Sequence, residues 1–370
     1  MKTFQDLGVD EAFVKGLTEL NIITPTKIQE EVIPLLLTSN IDLVAQAQTG
    51  TGKTAAYGLP LLQNIEAKKK MVQGLVLVPT RELGQQVAKQ LFKFTKYSDK
   101  IFTEAVYGGA PIDQQIVSLK RPTHIIVATP GRLIDLLKKK AVDLSHVTTV
   151  ILDEADEMLS MGFKDDLDTI LKSLSRAQNK WLFSATIPEG IKQIVNQHMS
   201  ENAKRIQISG KNVVNKNIEH HYILCEDDGK FETLKHYLKS VGEERGVIFC
   251  RTKADAQKLA QRLQETNITA DAIHGDLLQK ERDKVMRAFK NGKLRLLVAT
   301  DLAARGLDIP SLAFVVHYQL PEKQDHYTHR SGRTARAGKD GISLCLVNSF
   351  ELKKLRTFET RLGIAFKQMH

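Results

Sequence analysis

The sequence predicts an α/β protein of two tandem parallel-sheet domains, and two observations support this fold class. Short apolar runs of strand length recur along the 370 residues, with longer amphipathic stretches between them. Runs that are apolar almost throughout, rather than alternating, are typical of parallel strands covered by helices on both faces. The chain is also long for one hydrophobic core and comfortable for two domains.

The strands and helices form two series, which a polar stretch separates. Residues 208–217 follow neither a strand nor a helix period, so we predict domains at 1–207 and 218–370 joined by a linker at 208–217. Residues 350–370 predict a final helix and an unfinished end, and we therefore expect a C-terminal extension in the natural protein. The predicted strands are 42–47, 74–78, 124–128, 148–152, 180–184, 218–224, 246–250, 269–273, 294–299, 312–316 and 342–347, and the clearest helices are 85–95, 165–173, 254–266 and 279–291.

The amino-acid composition favours some classes of binding partner and cellular compartment over others. A formal net charge of +10 suits a polyanion such as nucleic acid, although charge alone leaves a plain basic surface equally open. Only 6% of residues are aromatic, which disfavours a base-stacking platform and favours backbone contacts. Three widely spaced cysteines argue against a zinc site or a disulfide framework. The sequence shows no signal peptide and no apolar run of membrane-spanning length, so we expect a cytoplasmic protein with no membrane partner.

A glycine-rich segment follows the first predicted strand and opens a helical stretch. Glycines let backbone N–H groups converge on phosphate oxygens, and the positive end of the helix adds to the attraction. Lys53 is placed to reach the β- and γ-phosphates, and the Thr54 hydroxyl is placed to bind Mg²⁺. Ala47 stands where the general pattern G-x4-G-K-[ST] has its first glycine. The candidate nucleotide-binding residues are Ala47, Thr49, Gly50, Thr51, Gly52, Lys53 and Thr54.

A dinucleotide-binding loop is the rival interpretation of this segment. Gly50, Gly52 and Ala55 fit a loose version of that fingerprint. It requires an acidic residue at the end of the next strand, where this chain has Val78 and Pro79. The lysine and threonine of the loop would also have no purpose there, so we favour the phosphate loop.

An acidic cluster, residues 153–156, follows a predicted apolar strand at the right distance for a strand neighbouring the phosphate loop. A carboxylate there can hold Mg²⁺, which we assign to Asp153. Glu154 is placed to polarise water for attack on the γ-phosphate. Acidic residues also begin helices because they complement the helix dipole. Beside a phosphate loop, however, the catalytic interpretation is the stronger one.

Three arginines, Arg330, Arg333 and Arg336, recur at every third residue late in the chain. On a helix they would share one broad face. A solvated charged face is the ordinary interpretation, but a phosphate-cleaving enzyme needs positive charge at the γ-phosphate. Arginine fingers supply it and contribute about 10³–10⁵ in rate.

Four motifs in this order resemble a DEAD-box RNA helicase: GTGKT at 50–54, DEAD at 153–156, SAT at 184–186 and HRSGRTARAG at 329–338. The resemblance runs from Phe4 to about Gly338. It implies two RecA-like domains, with Gln29 bonding the adenine edge and Phe4 stacking on its ring. It also implies RNA contacts from Pro79, Thr80, Arg81, Gly108, Gly109, Thr129, Gly131 and Arg132 in the first domain and from Arg251, Gln279, Arg282 and Thr300 in the second.

The resemblance further implies an RNA-stimulated ATPase, with ATP and Mg²⁺ as cofactors. Arg333 and Arg336 would reach the γ-phosphate and Asp301 the ribose. RNA, as a single strand or a short duplex, would be bound independently of its sequence and separated or remodelled. We expect a monomer that works with protein cofactors. The residues implied to couple the domains are Asp156, Ser184, Thr186, Gly306, Asp308, His329 and Arg330.

Five positions depart from the family's usual residues. Asn21 and Ala335 stand where glycine is frequent, Gly84 where alanine is usual, Ser331 where isoleucine is frequent and Arg251 where asparagine is common. Arg251 puts an RNA or interdomain contact in doubt, whereas the others are small or local. An ATP-dependent RNA clamp with little unwinding and a DNA translocase are the alternatives left open.

Overall fold

The computed structural model describes residues 2–48, 50–174, 177–208, 216–304, 312–335 and 340–369. It divides the chain into two compact units between residues 209 and 210. Most of the predicted linker, at 208–217, lies outside the described residues.

Unit 1 contains, within the described residues, one sheet of seven parallel strands. The strands are β1 (Leu43–Gln46), β2 (Gly74–Leu77), β3 (Thr103–Val106), β4 (Ile125–Ala128), β5 (Thr149–Asp153), β6 (Asn179–Ser184) and β7 (Lys204–Gln207). The helices are α1 (Glu11–Glu19), α2 (Lys27–Thr38), α3 (Lys53–Gln63), α4 (Arg81–Phe94), α5 (Ile112–Leu119), α6 (Pro130–Lys138), α7 (Ala155–Ser160), α8 (Lys164–Ser173) and α9 (Glu189–His198). The strand order is β3-β4-β2-β5-β6-β1-β7.

Both faces of this sheet are buried, as the continuous apolar runs predicted. Along β2, Leu75 and Leu77 belong to one hydrophobic cluster, whereas Val76 belongs to another. Successive side chains of a strand point to opposite faces, so the two clusters lie on the two sides of the sheet. Helices therefore cover both faces, which confirms the α/β fold class.

The sequence prediction missed the two edge strands, β3 and β7. In β7 only Ile206 is buried, and in β3 only Val106 is buried. An edge strand has one free side and tolerates polar residues, so neither segment forms an apolar run.

Unit 2 repeats this arrangement within its described residues. Its strands are β8 (Ile218–Leu224), β9 (Gly246–Cys250), β10 (Ala270–Ile273), β11 (Leu296–Thr300), β12 (Phe314–His317), β13 (Gly341–Val347) and β14 (Lys367–Gln368). Its helices are α10 (Lys230–Ser240), α11 (Lys253–Glu265), α12 (Gln279–Lys290), α13 (Asp301–Ala304), α14 (Gln324–Ser331) and α15 (Leu352–Leu362). The strand order, β10-β11-β9-β12-β13-β8-β14, is that of unit 1 with every number raised by seven.

Two details differ from the sequence prediction in unit 2. The predicted strand at 312–316 begins at Phe314, and Leu312 forms an isolated bridge to Thr334 instead. The predicted unfinished end after α15 contains the short strand β14, which pairs with β8. None of the helices in the described ranges is both long and apolar enough to cross a membrane.

The end of α1 explains Asn21. Its backbone N–H donates to the carbonyl of Thr18, and that of Ile22 donates to the carbonyl of Leu17, each at 3.0 Å. This pattern is a Schellman motif, which requires a left-handed residue just past the helix. Asn21 has φ +56°, and asparagine adopts this conformation more easily than other non-glycine residues. Asparagine therefore fills a position where glycine is frequent without changing the turn.

We expect Asn21→Ala to destabilise unit 1 by about 1 kcal/mol, because alanine is strained in the left-handed region. Asn21→Gly should be neutral or stabilising. Urea unfolding followed by the fluorescence of Trp181, the only tryptophan and a fully buried residue of unit 1, measures the change. The control is Asn202→Ala at an exposed position. Equal stability of the alanine and glycine variants at position 21 would contradict the assignment.

Candidate functional site

The carboxyl ends of β1, β5 and β6 lie at one edge of the first sheet, because parallel strands all run in the same direction. The glycine-rich segment follows β1, the acidic cluster begins at the end of β5, and Ser184 ends β6. The N–H of Ala47 donates to the carbonyl of Ser184 at 2.9 Å and fixes the start of the loop against β6. We had expected the acidic cluster to follow the strand next to β1. It follows β5 instead, and β6 lies between β5 and β1.

The loop after β1 is shaped by two left-handed glycines. Gly50 has φ +85° and Gly52 has φ +91°, a conformation that side-chain-bearing residues rarely adopt. Lys53 begins α3, is 6% exposed, and its Nζ donates to the carbonyl of Ala47 at 3.2 Å. The lysine therefore joins the two ends of the loop, while Thr49 lies outside the described residues.

Residues near the start of α2 hold this loop from outside. Gln29 donates from Nε2 to the carbonyl of Gly52 at 3.0 Å, and its Oε1 accepts from the N–H of Thr26 at 2.8 Å. The hydroxyl of Thr26 donates to the carbonyl of Thr51 at 2.8 Å. A Cβ on Gly52 would lie 2.4 Å from Gln29 Nε2, so a side chain at position 52 would displace the amide that holds the loop. Gln29, predicted to contact adenine, thus also supports the phosphate loop.

Phe4, which the resemblance predicts to stack on adenine, is a core residue in this structure. Its side chain is 2% exposed and belongs to the apolar cluster on one face of the first sheet. Stacking on adenine would require this ring to be uncovered, and the role stays a prediction.

The acidic cluster has a strained backbone and a buried first carboxylate. Glu154 has φ +52°, which is uncommon for a residue with a side chain and is typical of functional sites. Asp153 is 3% exposed; its Oδ1 accepts from the N–H of Glu154 at 3.0 Å and its Oδ2 from the hydroxyl of Tyr57 at 2.9 Å. Burial raises the pKa of Asp153, although the charge of Lys53 opposes the rise.

Hydrogen bonds join the acidic cluster to the SAT motif. Asp156 Oδ2 accepts from the N–H of Thr186 at 2.9 Å and from its hydroxyl at 2.8 Å. The N–H of Asp156 donates to Ser184 Oγ at 3.2 Å, and Ser184 donates to the carbonyl of Thr186 at 2.6 Å. The end of β6 and the start of α7 are therefore linked as one unit.

The predicted RNA-contacting segments of unit 1 follow β2, β3 and β4 at the same edge of the sheet. Thr80 is the N-cap of α4, where its Oγ1 accepts from the N–H of Leu83 at 3.3 Å. Arg81 stacks over the ring of Tyr107, with 4.7 Å from guanidinium carbon to ring centroid. Of the others, Pro79 follows β2, Gly108 and Gly109 follow β3, and Thr129 and Gly131 lie at the start of α6.

Two nitrogens of the Arg132 guanidinium, which the resemblance predicts to contact RNA, are hydrogen-bonded within unit 1. Nη1 donates to Gln115 Oε1 at 2.9 Å, and Nη2 donates to the carbonyl of Ala110 at 3.0 Å. Only 10% of its side chain is exposed. Arg132 therefore holds the segment after Gly108 and Gly109 in place.

Arg330 and Arg333 do not share a helix face. Helix α14 ends at Ser331, before Arg333, and Arg336 lies outside the described residues. Arg330 is 1% exposed and pairs with Asp301, Nε to Oδ1 at 2.5 Å and Nη2 to Oδ2 at 2.8 Å. Although burial raises it, hydrogen bonds from Arg330 and His326 hold the pKa of Asp301 well below its usual range.

Several of the predicted site residues of unit 2 line one small pocket. Arg333 is 7% exposed, and its Nε donates to the carbonyl of His329 at 3.2 Å. Gly306 and Asp308 lie outside the described residues. The pocket is lined by Phe249, Asp301, Ala304, His326, His329, Arg330 and Arg333.

The predicted RNA-contacting residues of unit 2 differ in how they are held. Arg282 donates from Nη2 to the carbonyl of Ala303 at 2.7 Å, and Gln279 donates to Asp283 at 2.8 Å. Thr300 ends β11 and is 9% exposed. Arg251 follows β9 and is exposed, so it adds a cation at the carboxyl edge of the second sheet.

Ser331 belongs to a buried polar network beneath α14. Its Oγ lies 2.9 Å from Ser343 Oγ and 3.3 Å from His317 Nε2. The Tyr327 hydroxyl lies 3.1 Å from Ser343 Oγ and 2.5 Å from His220 Nδ1. A serine in place of isoleucine is therefore matched by polar partners, as a buried hydroxyl requires.

The structure accounts for two further departures. A Cβ on Gly84 would lie 3.3 Å from the side chain of Val78, so glycine lets α4 lie close to the end of β2. Ala335 has φ +53°, the conformation that glycine adopts without strain.

Sequence reasoning missed four residues of the site. Thr26, Tyr57, Tyr107 and Gln115 act through other residues rather than by a motif of their own. Tyr57 lies four residues after Lys53, on the same side of α3, and this spacing was the one available signal. The contacts of Thr26 and Gln115 depend on the tertiary structure.

The oxygen groups around the phosphate loop fit a magnesium ion. The Asp153 carboxylate and the Thr54 hydroxyl are hard oxygen donors, and Mg²⁺ at phosphates commonly takes one or two such protein groups. Among the described residues, no group of three or more His, Cys, Asp or Glu side chains could hold a metal by itself. Binding of Mg²⁺ therefore depends on phosphate and water oxygens as well.

A glycine loop at the end of β1 and a buried aspartate at the end of β5 define a P-loop nucleotide-binding protein. Known sequences identify it further: the DEAD/DEAH box helicase pattern matches residues 26–194, and the helicase conserved C-terminal domain matches residues 229–338. The ATP-dependent RNA helicase CshA of Listeria monocytogenes is 43% identical over 359 residues, covering 97% of this chain and 68% of that protein. The chain belongs to the DEAD/DEAH box helicase family, which confirms the resemblance seen in its motifs.

Solved structures show the same family. S. cerevisiae Dbp5 bound to RNA and ADP BeF3 matches with a TM-score of 0.91 and 29% identity, covering 100% of this chain and 96% of that chain. Mss116p bound to ssRNA and AMP-PNP matches with a TM-score of 0.89 and 29% identity, covering 100% and 80%. The two sheets are therefore those of tandem RecA-like domains.

The buried network of unit 2 predicts acid sensitivity. Burial and the neighbouring His221 lower the pKa of His220 to about 4. The pKa of an unfolded histidine is about 6.5, so between pH 6.5 and pH 4 the unfolded state binds more protons than the folded state. Unit 2 should therefore lose stability as the pH falls through this window.

We expect His220→Gln to reduce the stability lost between pH 7 and pH 5 by about 2 kcal/mol. Urea unfolding followed by far-UV circular dichroism gives the stability, with Trp181 fluorescence reporting unit 1 separately. His236→Gln, at an exposed position of unit 2, is the control. An unchanged pH dependence in the His220 variant would contradict the buried, neutral histidine.

Proposed function

We propose that this chain is an ATP-dependent RNA helicase that binds RNA independently of sequence and uses ATP to separate short duplexes or remodel RNA–protein complexes. The observation that carries the proposal is the linked edge of the first sheet, where the phosphate loop, the acidic cluster and the SAT motif are joined by hydrogen bonds. Relatives named as ATP-dependent RNA helicases support it, as does the Dbp5 structure with RNA and a nucleotide.

ATP is bound by unit 1 in this proposal. Lys53 and the backbone of the loop hold the β- and γ-phosphates, and Gln29 bonds the adenine edge while keeping Gly52 in place. Thr54 and Asp153 would hold Mg²⁺, which supplies positive charge to the phosphate oxygens. Glu154 positions and polarises the attacking water.

Unit 2 supplies the remaining charge and part of the RNA surface. Arg333 and Arg336 add positive charge at the γ-phosphate, and this role rests on the family resemblance. Arg330 is fully paired with Asp301, so it acts by fixing α14 rather than by touching phosphate. This pairing orients the Asp301 carboxylate, for which a ribose contact is proposed.

RNA contacts are proposed to go mainly to phosphates and 2′-OH groups, which gives RNA selectivity without sequence preference. In unit 1, Arg81 and the segment of Gly108 and Gly109 form the proposed RNA-contacting surface. Arg132 holds that segment through its hydrogen bond to the carbonyl of Ala110. Asp156, Ser184 and Thr186 connect it to the nucleotide end of the sheet. Cytoplasmic location and a monomeric state stay predictions.

The steady-state ATPase rate without nucleic acid, with single-stranded RNA and with DNA of matching sequence tests the proposal. We expect RNA to stimulate the rate and DNA not to do so. Lys53→Ala should lower the stimulated rate at least about 100-fold, because it removes the charge that holds the phosphates. Equal stimulation by DNA, or normal ATPase in the Lys53 variant, would overturn the assignment.

Glu154→Gln should retain ATP binding and lower kcat by about 10²–10⁴, because it removes the group that polarises water. ATP should therefore hold this variant on RNA more tightly than the wild-type protein. RNA binding measured by fluorescence anisotropy with and without ATP gives the result. Glu189→Gln, at an exposed residue paired with Lys192, is the control. An RNA affinity of the Glu154 variant that ATP does not change would refute the role of Glu154.

A further inference from the structure

Tyr57 is a buried polar residue that the mechanism above does not use. It lies on α3 one turn after Lys53 and is fully buried. Its ring packs against that of Phe183 on β6, with centroids 5.2 Å apart. Packing on this scale fixes the ring, and therefore fixes the position of its hydroxyl.

The hydroxyl of Tyr57 contacts one of the two side chains that would hold Mg²⁺. It donates to Asp153 Oδ2 at 2.9 Å. Asp153 Oδ1 is held separately by the N–H of Glu154 at 3.0 Å.

Two fixed donors thus set the rotation of one buried carboxylate. Each carboxylate oxygen has two lone pairs, so each retains a free acceptor position after accepting one hydrogen bond. The oxygens can therefore be oriented by the protein and still bind a cation.

We propose that Tyr57 is a positioning residue for the magnesium site, in which its hydroxyl orients the Asp153 carboxylate towards the ion. This inference rests on the proposed function. A plain core tyrosine could donate to any nearby acceptor, whereas Tyr57 donates to the buried carboxylate that would hold the metal. Partners that orient metal ligands typically contribute about 10–100-fold to metal affinity.

Tyr57→Phe removes the hydroxyl and keeps the ring that packs on Phe183. We expect this variant, saturated with AMP-PNP, to bind Mn²⁺ at least about 10-fold more weakly than the wild-type protein. Free Mn²⁺ is followed by electron paramagnetic resonance. The affinity for AMP-PNP measured in EDTA should be unchanged, because the phosphate loop itself is intact.

Two further variants separate the hydroxyl from other effects. Tyr97→Phe removes a phenol that donates to Glu19 on the surface of the same unit, and it should change neither affinity. Phe183→Leu loosens the ring packing and keeps the hydroxyl of Tyr57. Because that packing holds the hydroxyl in place, Phe183→Leu should weaken Mn²⁺ binding in the wild-type protein and have no further effect in Tyr57→Phe. An equal further loss in Tyr57→Phe would show that the packing acts independently of the hydroxyl and would contradict its positioning role.

The remaining outcomes also decide the question. Wild-type Mn²⁺ affinity in Tyr57→Phe would overturn the positioning role and leave the proposed function standing. An equal loss of AMP-PNP affinity in EDTA would assign Tyr57 to the structure of the loop and overturn the proposal. A wild-type protein that bound neither AMP-PNP nor Mn²⁺ would instead remove the proposed function.

Discussion

The parallel pairing of β1, β6 and β5 is the constraint on which the site depends. Because the three strands run in the same direction, the phosphate loop, the SAT motif and the acidic cluster all emerge at one edge of the sheet. β6 separates the other two strands, so its last residue, Ser184, contacts both neighbours: its carbonyl accepts from Ala47, and its hydroxyl accepts from the N–H of Asp156. A shift of this strand would displace both the nucleotide loop and the acidic cluster.

Several largely buried polar side chains, in unit 1 and at the pocket of unit 2, are hydrogen-bonded within their own unit, and they therefore hold neighbouring residues in position. Gln29 holds Gly52, Arg132 holds the segment after Gly109, and Arg330 is locked to Asp301. A buried charge or amide costs free energy unless it is paired, so such groups cannot also move freely towards a ligand. Among the predicted RNA contacts, Arg81 is partly exposed and Arg251 is exposed, so both side chains are accessible to a phosphate.

The fold could be predicted from the sequence wherever strands are buried on both faces, as for β9, whose predicted bounds match the structure. Edge strands β3 and β7 were missed because their side chains are polar. Motif residues of the site were predicted by their spelling, whereas Tyr57 was missed because it acts through a contact distant in sequence. A sequence pattern shows which residue is present but not which way its side chain points, so the burial of Phe4 and the hydrogen bonds of Arg132 within unit 1 were not predicted. Arg330 was grouped with Arg333 for the same reason.

The shared strand order of the two units has a consequence for folding. Two sheets with the same topology on one chain offer each strand a second, wrong place to pair, and such exchange is a known failure of proteins with repeated domains. Register is set by which side chains reach the buried face, so dissimilar strands reject each other's partners. The corresponding strands β1, LVAQ, and β8, IEHHYIL, differ in length and polarity. The divergence between the two units thus disfavours misassembly of the nascent chain. The same divergence places the phosphate-loop sequence in unit 1.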